Sequence, residues 1–211
     1  MSSLLAQPGE VSVASRAAGE YHAPQPVGVD LLHINSVHVA PDGDLIVSAR
    51  HTDTVYKIRR DTAGTIVYQI GGNQMDAFTF VNDPLGGFGR QHDVQLLPNG
   101  HLRLFDNRSG LPGSPRAAEY AIDTTAGTAT LVWSRSEPDV TTSFGLGSVR
   151  GIGDGDLTVT WGGSTVRTFT EFGPDGSELQ STTMANHNPY RVDKQPVSAF
   201  DINVLRATAG R

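Results

Sequence analysis

Beyond Leu31 the apolar positions fall in short runs that mostly alternate with polar ones and are separated by turn residues, which is a strand pattern. The runs predict strands at Ser36–Ala40, Asp44–Arg50, Thr54–Arg60 and Thr65–Gly71, then at Asp93–Leu97, His101–Asp106, Ala117–Asp123 and Thr128–Ser134. A third set follows at Ser148–Ile152, Leu157–Trp161, Val166–Phe172 and Glu178–Thr183. Pro41-Asp42-Gly43, Asp61-Thr62-Ala63-Gly64, Asp123-Thr124-Thr125-Ala126-Gly127 and Gly173-Pro174-Asp175-Gly176 supply the reversals, because Gly accepts positive φ and Asp bonds its own backbone. Residues 1–30 show no sustained period and read as irregular, with one short strand near Glu10–Ser15.

One cassette is written three times without a gap, starting at Asn35, His92 and Gly147, with its turn glycine at Gly43, Gly100 and Gly155. Asn35 and His92 are therefore equivalent positions. The spacing is close to the ~40–50 residues of propeller repeats. The expected fold is all-β: a partial β-propeller of about three four-stranded blades over 33–71, 92–134 and 147–183, within one domain spanning 31–211. Val197–Leu205 reads as a further strand entering an incomplete fourth unit. A closed propeller needs at least about four blades, and an open fan exposes its edges. The chain is then a fragment, pairs with another copy through open blade edges, or folds its termini back over the gap. The long connections 72–90 and 136–147 are expected to pack where each innermost strand begins, walling a pocket.

Composition narrows the chemistry. The chain has 24 Gly, 12 Pro and only 18% charged residues, which suits strands and turns. A net charge of −6 without a Lys/Arg run argues against a nucleic-acid partner. The absence of cysteine excludes disulfides, thiolate metal sites and a cysteine nucleophile while leaving the compartment open. No stretch reaches the ~20 apolar residues of a membrane-spanning helix, and the chain as written starts without an export signal.

On an innermost strand, side chains alternate with period two, so His33 and Asn35 share a face and His92 joins them from the next blade. Two imidazoles converging on one axial pocket form a candidate nucleophile and acid–base pair. Arg50, Arg90, Arg108 and Arg116 lie in neighbourhoods where a guanidinium could hold the oxygens of sulfate, phosphate or carboxylate. His38, His51 and His101 read as structural or surface residues, Asp106-Asn107 as a blade corner, and Trp133 and Trp161 as core between blades. No nucleophile elbow or phosphate loop occurs. No metal site is expected either, because His33 and His38 would face opposite sides of a strand and no His-x-x-x-His spacing exists.

Taken together, His33-Ile-Asn-Ser-Val37, Leu45-Ile-Val-Ser-Ala-Arg50, Val55-Tyr-Lys-Ile58, Ile70-Gly-Gly72, Gln91-His-Asp93, Leu104-Phe-Asp-Asn107, Arg116-Ala-Ala-Glu-Tyr120 and Thr160-Trp-Gly162 resemble the arylsulfotransferase family over about residues 31–192. The resemblance implies a β-propeller without a cofactor that moves a sulfuryl group from a phenolic sulfate ester to a phenol through a sulfated histidine. It also implies catalytic roles for His33 and His92, with Arg116 or Arg108 as the sulfate-binding arginine; Arg116 is the catalytic candidate, and repeat position adds Asn35, Arg50, Arg108 and Asn107 as substrate-binding candidates. The family draws a further histidine from a later blade, whereas the third cassette, Phe144-Gly-Leu-Gly-Ser-Val149, has none and His187 is the later candidate. The family's earlier blades also have no counterpart here. A noncatalytic propeller-like ligand-binding or protein-interaction module is therefore the alternative.

Overall fold

Gly43, Gly100 and Gly155, the turn glycines of the three cassettes, all adopt positive φ, at +88°, +81° and +94°, a region that side chains disfavour. Each closes the innermost hairpin of a separate sheet, so the sequence repeat is a structural one. The structure, a computed structural model, describes residues 30–72, 78–151, 155–195, 197–199 and 201–209. The strand expected near Glu10–Ser15 lies outside the described residues.

The described residues form thirteen strands in three sheets. The first is an antiparallel meander of β1 (Ile34–Val39), β2 (Leu45–Ala49), β3 (Thr54–Ile58) and β4 (Ile66–Gly71). The second runs through β6 (His92–Leu96), β7 (His101–Asp106), β8 (Arg116–Asp123) and β9 (Thr128–Arg135). The third holds β10 (Ser148–Gly151), β11 (Leu157–Thr160), β12 (Phe169–Phe172) and β13 (Glu178–Thr182). Adjacent blades touch through their inner strands, β1 and β2 against β6, and β10 against β6 and β7. This is the partial β-propeller that the periodicity indicates.

The middle blade shows why its strands are apolar on both faces. Along β7, Leu102 and Leu104 face the first blade and pack with Ile46, Val55 and Ile70. Phe105, one residue on, faces the third blade and packs with Val149, Val159, Trp161 and Phe172. In β8, Ala118 and Tyr120 serve the first core and Ala117 the second. A strand between two blades thus loses the one-sided alternation of a surface sheet. Trp161 is fully buried, and Trp133 packs on the same cluster while stacking on Arg103 and Arg135.

Three features differ from the sequence expectation. Within the connection 72–90, β5 (Thr79–Val81) adds a fifth strand, parallel to Thr128–Thr130 of β9. It covers an otherwise open sheet edge, and its Phe80, with Phe88 further along the connection, packs edge-on against Tyr120. Second, the third-blade strand expected from Val166 starts at Phe169, because Ser164 Oγ accepts from the Val166 and Arg167 N–H groups and holds that stretch in a turn. Third, the strand expected at Val197–Leu205 is absent. The chain forms a 3-10 turn at Val197–Ala199 and an α-helix at Ile202–Ala209. Asp201 explains the switch, since its carboxylate accepts from the N–H groups of Asn203 and Val204 as a helix cap does.

Candidate active site

His92 opens β6 and is only 2% exposed. Asn107 closes on it from the end of β7: the Asn107 Nδ2 donates to Ser143 Oγ at 2.7 Å and to the Leu146 carbonyl at 2.9 Å. That fixes the amide orientation and turns Oδ1 toward His92 Nδ1, 2.7 Å away. On the other side of the ring, the Leu146 N–H donates to Nε2 at 3.2 Å. An amide oxygen accepts and a backbone N–H donates, so the proton sits on Nδ1 and the lone pair on Nε2. Burial pushes His92 down to about 4; the Asn107 bond opposes that shift and the nearby Arg50 charge adds to it. The ring is neutral near pH 7.

Each neighbouring element contributes one more group. Arg50, just past β2 and 3% exposed, reaches across the fan, and its Nη2 donates to the Phe144 carbonyl at 2.7 Å and to Ser109 Oγ at 3.3 Å. Arg90 is 4% exposed, and neither its Nε nor its Nη1 has a hydrogen-bond partner among the described residues. Asp53 receives the Arg90 backbone N–H at 2.6 Å, while its Oδ1 lies 3.9 Å from Nε. A buried guanidinium with open donors is a ready anion contact, since leaving them unmet costs about 1–3 kcal/mol. Tyr190 arrives from the C-terminal segment: its hydroxyl donates to the Asn35 carbonyl at 3.0 Å, and its ring stands edge-on to His92 at 5.9 Å. The connection 136–147 therefore packs over the start of β6 as expected, through Ser143 and Leu146.

Backbone strain concentrates at this end of the fan. Asp53, Arg90, Asp93 and Leu146 have φ of 54°, 59°, 55° and 65°, and His33 has 47°. Left-handed conformations cost side-chain-bearing residues about 1–2 kcal/mol each. They persist where surrounding contacts over-determine them, as at binding sites.

His33 enters differently from His92. Its Nδ1 lies 2.6 Å from Asp30 Oδ2, and its ring packs on His51 with centroids 4.6 Å apart. It is substantially exposed, and it couples to His92 through charge, helping to depress the His92 pKa. Asn35 donates its Nδ2 to the Gln91 carbonyl at 2.7 Å and so ties β1 to the residue before His92. Arg108 and Arg116 converge on the fully buried Asp106, at 3.2 and 2.9 Å. All three side-chain nitrogens of Arg116 are engaged, by Asp106, Asp83, the Gly87 carbonyl and Tyr120. The structure thus brings Asn107 and Arg50 to His92, and sets Arg108 and Arg116 behind them as the brace of the Asp106-Asn107 corner.

His38 rests on the Leu96 carbonyl, His101 on Glu119, and buried His51 on the Asp30 carbonyl. His187 lines a cleft of about 500 Å³ with Arg167, Ser164 and Asn186, among other residues, but with none of the groups around His92. Reading by residue type passed over the Leu146 N–H and Tyr190. For Arg90, already noted by its neighbourhood, adjacency to Gln91-His92 was the available sign of a closer role.

The comparisons with known proteins bear on this arrangement. The family model for arylsulfotransferases (ASST) matches residues 7–181, most of the chain. The chain belongs to the arylsulfotransferase family. No curated protein matches this arylsulfotransferase-family chain in sequence. Among solved structures it is similar to a provisionally named 6-phosphogluconolactonase from Bacteroides uniformis, with TM-score 0.51 and 14% identity over 84% of this chain and 49% of that one. A second protein with that provisional name, from Bacteroides fragilis, gives TM-score 0.50 and 14% identity over 82% of this chain and 47% of that one. These likenesses concern the fold alone. The chain spans about half the length of the solved structures it matches.

Proposed function

We propose that the cluster around His92 carries sulfuryl transfer from a phenolic sulfate ester to a phenol acceptor. The observation that carries this reading is a buried, neutral imidazole, oriented through Nδ1 by Asn107 and influenced by the buried Arg50 charge, with the buried Arg90 two residues before it in the chain. Nε2 holds the lone pair, so His92 is the nucleophile. Its Nε2 attacks sulfur, the N–S bond forms, the S–O bond to the aryl group breaks, and the departing phenolate takes a proton from His33. Asp30, 2.6 Å from His33 Nδ1, holds the ring in place for this step. An acceptor phenol then returns its proton to His33 as its oxygen attacks sulfur and the N–S bond breaks. Arg50 and Arg90 stabilise the sulfuryl oxygens. Asn35, Asn107, Arg108 and Arg116 act by holding these groups in place. Attack requires the Leu146 N–H to give up Nε2, which a long 3.2 Å bond permits.

The test is phenol release from an aryl sulfate in the presence of a phenol acceptor. Turnover that falls by about 10²-fold or more in His92→Ala and His33→Ala is the expected result, with a smaller loss in Arg90→Met. Absence of turnover by the intact chain, or variants as active as the parent, overturns it. A noncatalytic binding module is favoured by one observation: both nitrogens of His92 are already engaged. It predicts saturable binding of the aryl sulfate without turnover.

A further inference from the structure

Just before β1 in the first blade, three side chains with metal-ligating atoms meet. One nitrogen each of His33 and His51 and one carboxylate oxygen of Asp30 all lie within 4.8 Å of one another. Asp30 is the hub: its Oδ2 is 2.6 Å from His33 Nδ1 and 3.9 Å from His51 Nδ1, while its carbonyl oxygen lies 2.7 Å from His51 Nδ1. We propose that Asp30, His33 and His51 form a binding site for a divalent transition-metal ion of the zinc class.

The distances suit such an ion. Zinc sits about 2.0–2.2 Å from nitrogen and carboxylate ligands in a tetrahedron, which places ligand atoms about 3.3 Å apart. The observed 2.6 and 3.9 Å straddle that value, so sub-ångström shifts of the exposed Asp30 carboxylate adjust its two separations, and the His33 and His51 nitrogens lie within 4.8 Å of each other. Two imidazoles and one carboxylate are a borderline donor set, matched to zinc, cobalt or iron and unlike the all-oxygen shells of calcium and magnesium.

The backbone is already fixed in this arrangement. The His33 N–H donates to Asp30 Oδ1 at 2.9 Å, the Arg50 N–H to the His33 carbonyl and the His51 N–H to the Leu32 carbonyl, both at 3.2 Å. His33 holds φ of +47°, which turns its ring back toward Asp30 and His51. Burial locks His51, at 2% exposed, whereas Asp30 and His33 face solvent. Three protein ligands with an open, wet side resemble sites that keep a water or ligand in the fourth position. Arg50 and Asp53 flank His51 with opposite charges, so neither sign dominates the surroundings.

This inference does not rest on sulfuryl transfer, and its test uses no substrate. The full chain, stripped with a chelator, is titrated with cobalt(II) and then with zinc. The expected result is one cobalt ion per chain with visible ligand-field absorption, displaced by zinc, and a rise in melting temperature with zinc. Asp30→Asn and His51→Gln each weaken cobalt binding by about tenfold or more, while His38→Gln and His187→Gln leave it unchanged. His51 is buried and its replacement can disturb the blade, so exposed Asp30→Asn is the deciding variant. No saturable cobalt binding by the intact chain overturns the proposal, as does binding that Asp30→Asn leaves untouched. Binding lost in His187→Gln also overturns it, by placing the metal in the other cleft.

Discussion

Which of the two His92 nitrogens holds the proton is decided by neighbours from three places in the chain. Asn107 takes Nδ1–H, Leu146 offers its N–H to Nε2, and burial with the Arg50 charge disfavours a second proton. A histidine whose pKa falls from 6.5 in the unfolded chain to about 4 in the fold has a definite linkage sign. Between those values the unfolded chain binds more protons, so its stabilising contribution is complete above pH 6.5 and is lost as pH falls toward 4. The size is about 3 kcal/mol at about 1.4 kcal/mol per unit. Denaturant titrations at pH 7 and pH 4.5 should show this loss in the parent and a flatter profile in His92→Gln. A variant profile as steep as the parent's would refute the assignment. For the proposed transfer, the limb of kcat/KM set by His92 protonation should lie near pH 4, well below that of an ordinary histidine.

At the scale of elements, the innermost hairpins were legible because period-two apolarity and a Gly turn are local properties. The bounds of β7, His101–Asp106, match the expectation from the sequence, and those of the other inner strands fall within one or two residues of it. That the connection 136–147 packs at the start of β6 was legible from its length, but not that it brings Ser143 to Asn107 and the Leu146 N–H to His92, since those contacts depend on another blade. Gly147 shows the constraint: its φ is +99°, and a Cβ there would sit 2.4 Å from the Phe105 ring. Gly147→Ala should therefore destabilise the chain by about 2 kcal/mol or more, combining backbone strain with overpacking. It should also displace Leu146 from His92. Thermal melting, together with the His92 ring signals in NMR spectra, checks both effects. An unshifted melting temperature would mean that the β10 approach is looser than it stands here.

For the whole molecule, the terminal blades matter most. On β1, Val37 and Val39 are 60% and 52% exposed, and on β13 Leu179 is 55% exposed. Apolar strand surface at both ends of an open fan favours self-association through the blade edges. Sedimentation equilibrium should give an apparent mass that rises with concentration above 22.5 kDa, and pairing Val37→Ser with Val39→Ser should reduce the rise. A concentration-independent monomer mass would argue against edge pairing. Among the described residues no helix is long and apolar enough to cross a membrane.

The sequence by itself determined the three blades, their turns, the core tryptophans and the family, because each depends on residues near one another or on a repeated spacing. It also singled out His33, Asn35, Arg50, His92 and Asn107. Only the tertiary structure decided what these and neighbouring groups touch: Arg116 spends its donors on Asp83 and Asp106, Arg90 keeps two nitrogens without a hydrogen bond among the described residues, and His51 comes to Asp30 and His33. It likewise turned Val197–Leu205 away from a strand and laid β5 along β9. The physical reason is the range of the forces involved. Turn preference and apolar period act within a few residues, whereas the partner of a buried charge is set by whichever distant segment the folded chain brings beside it.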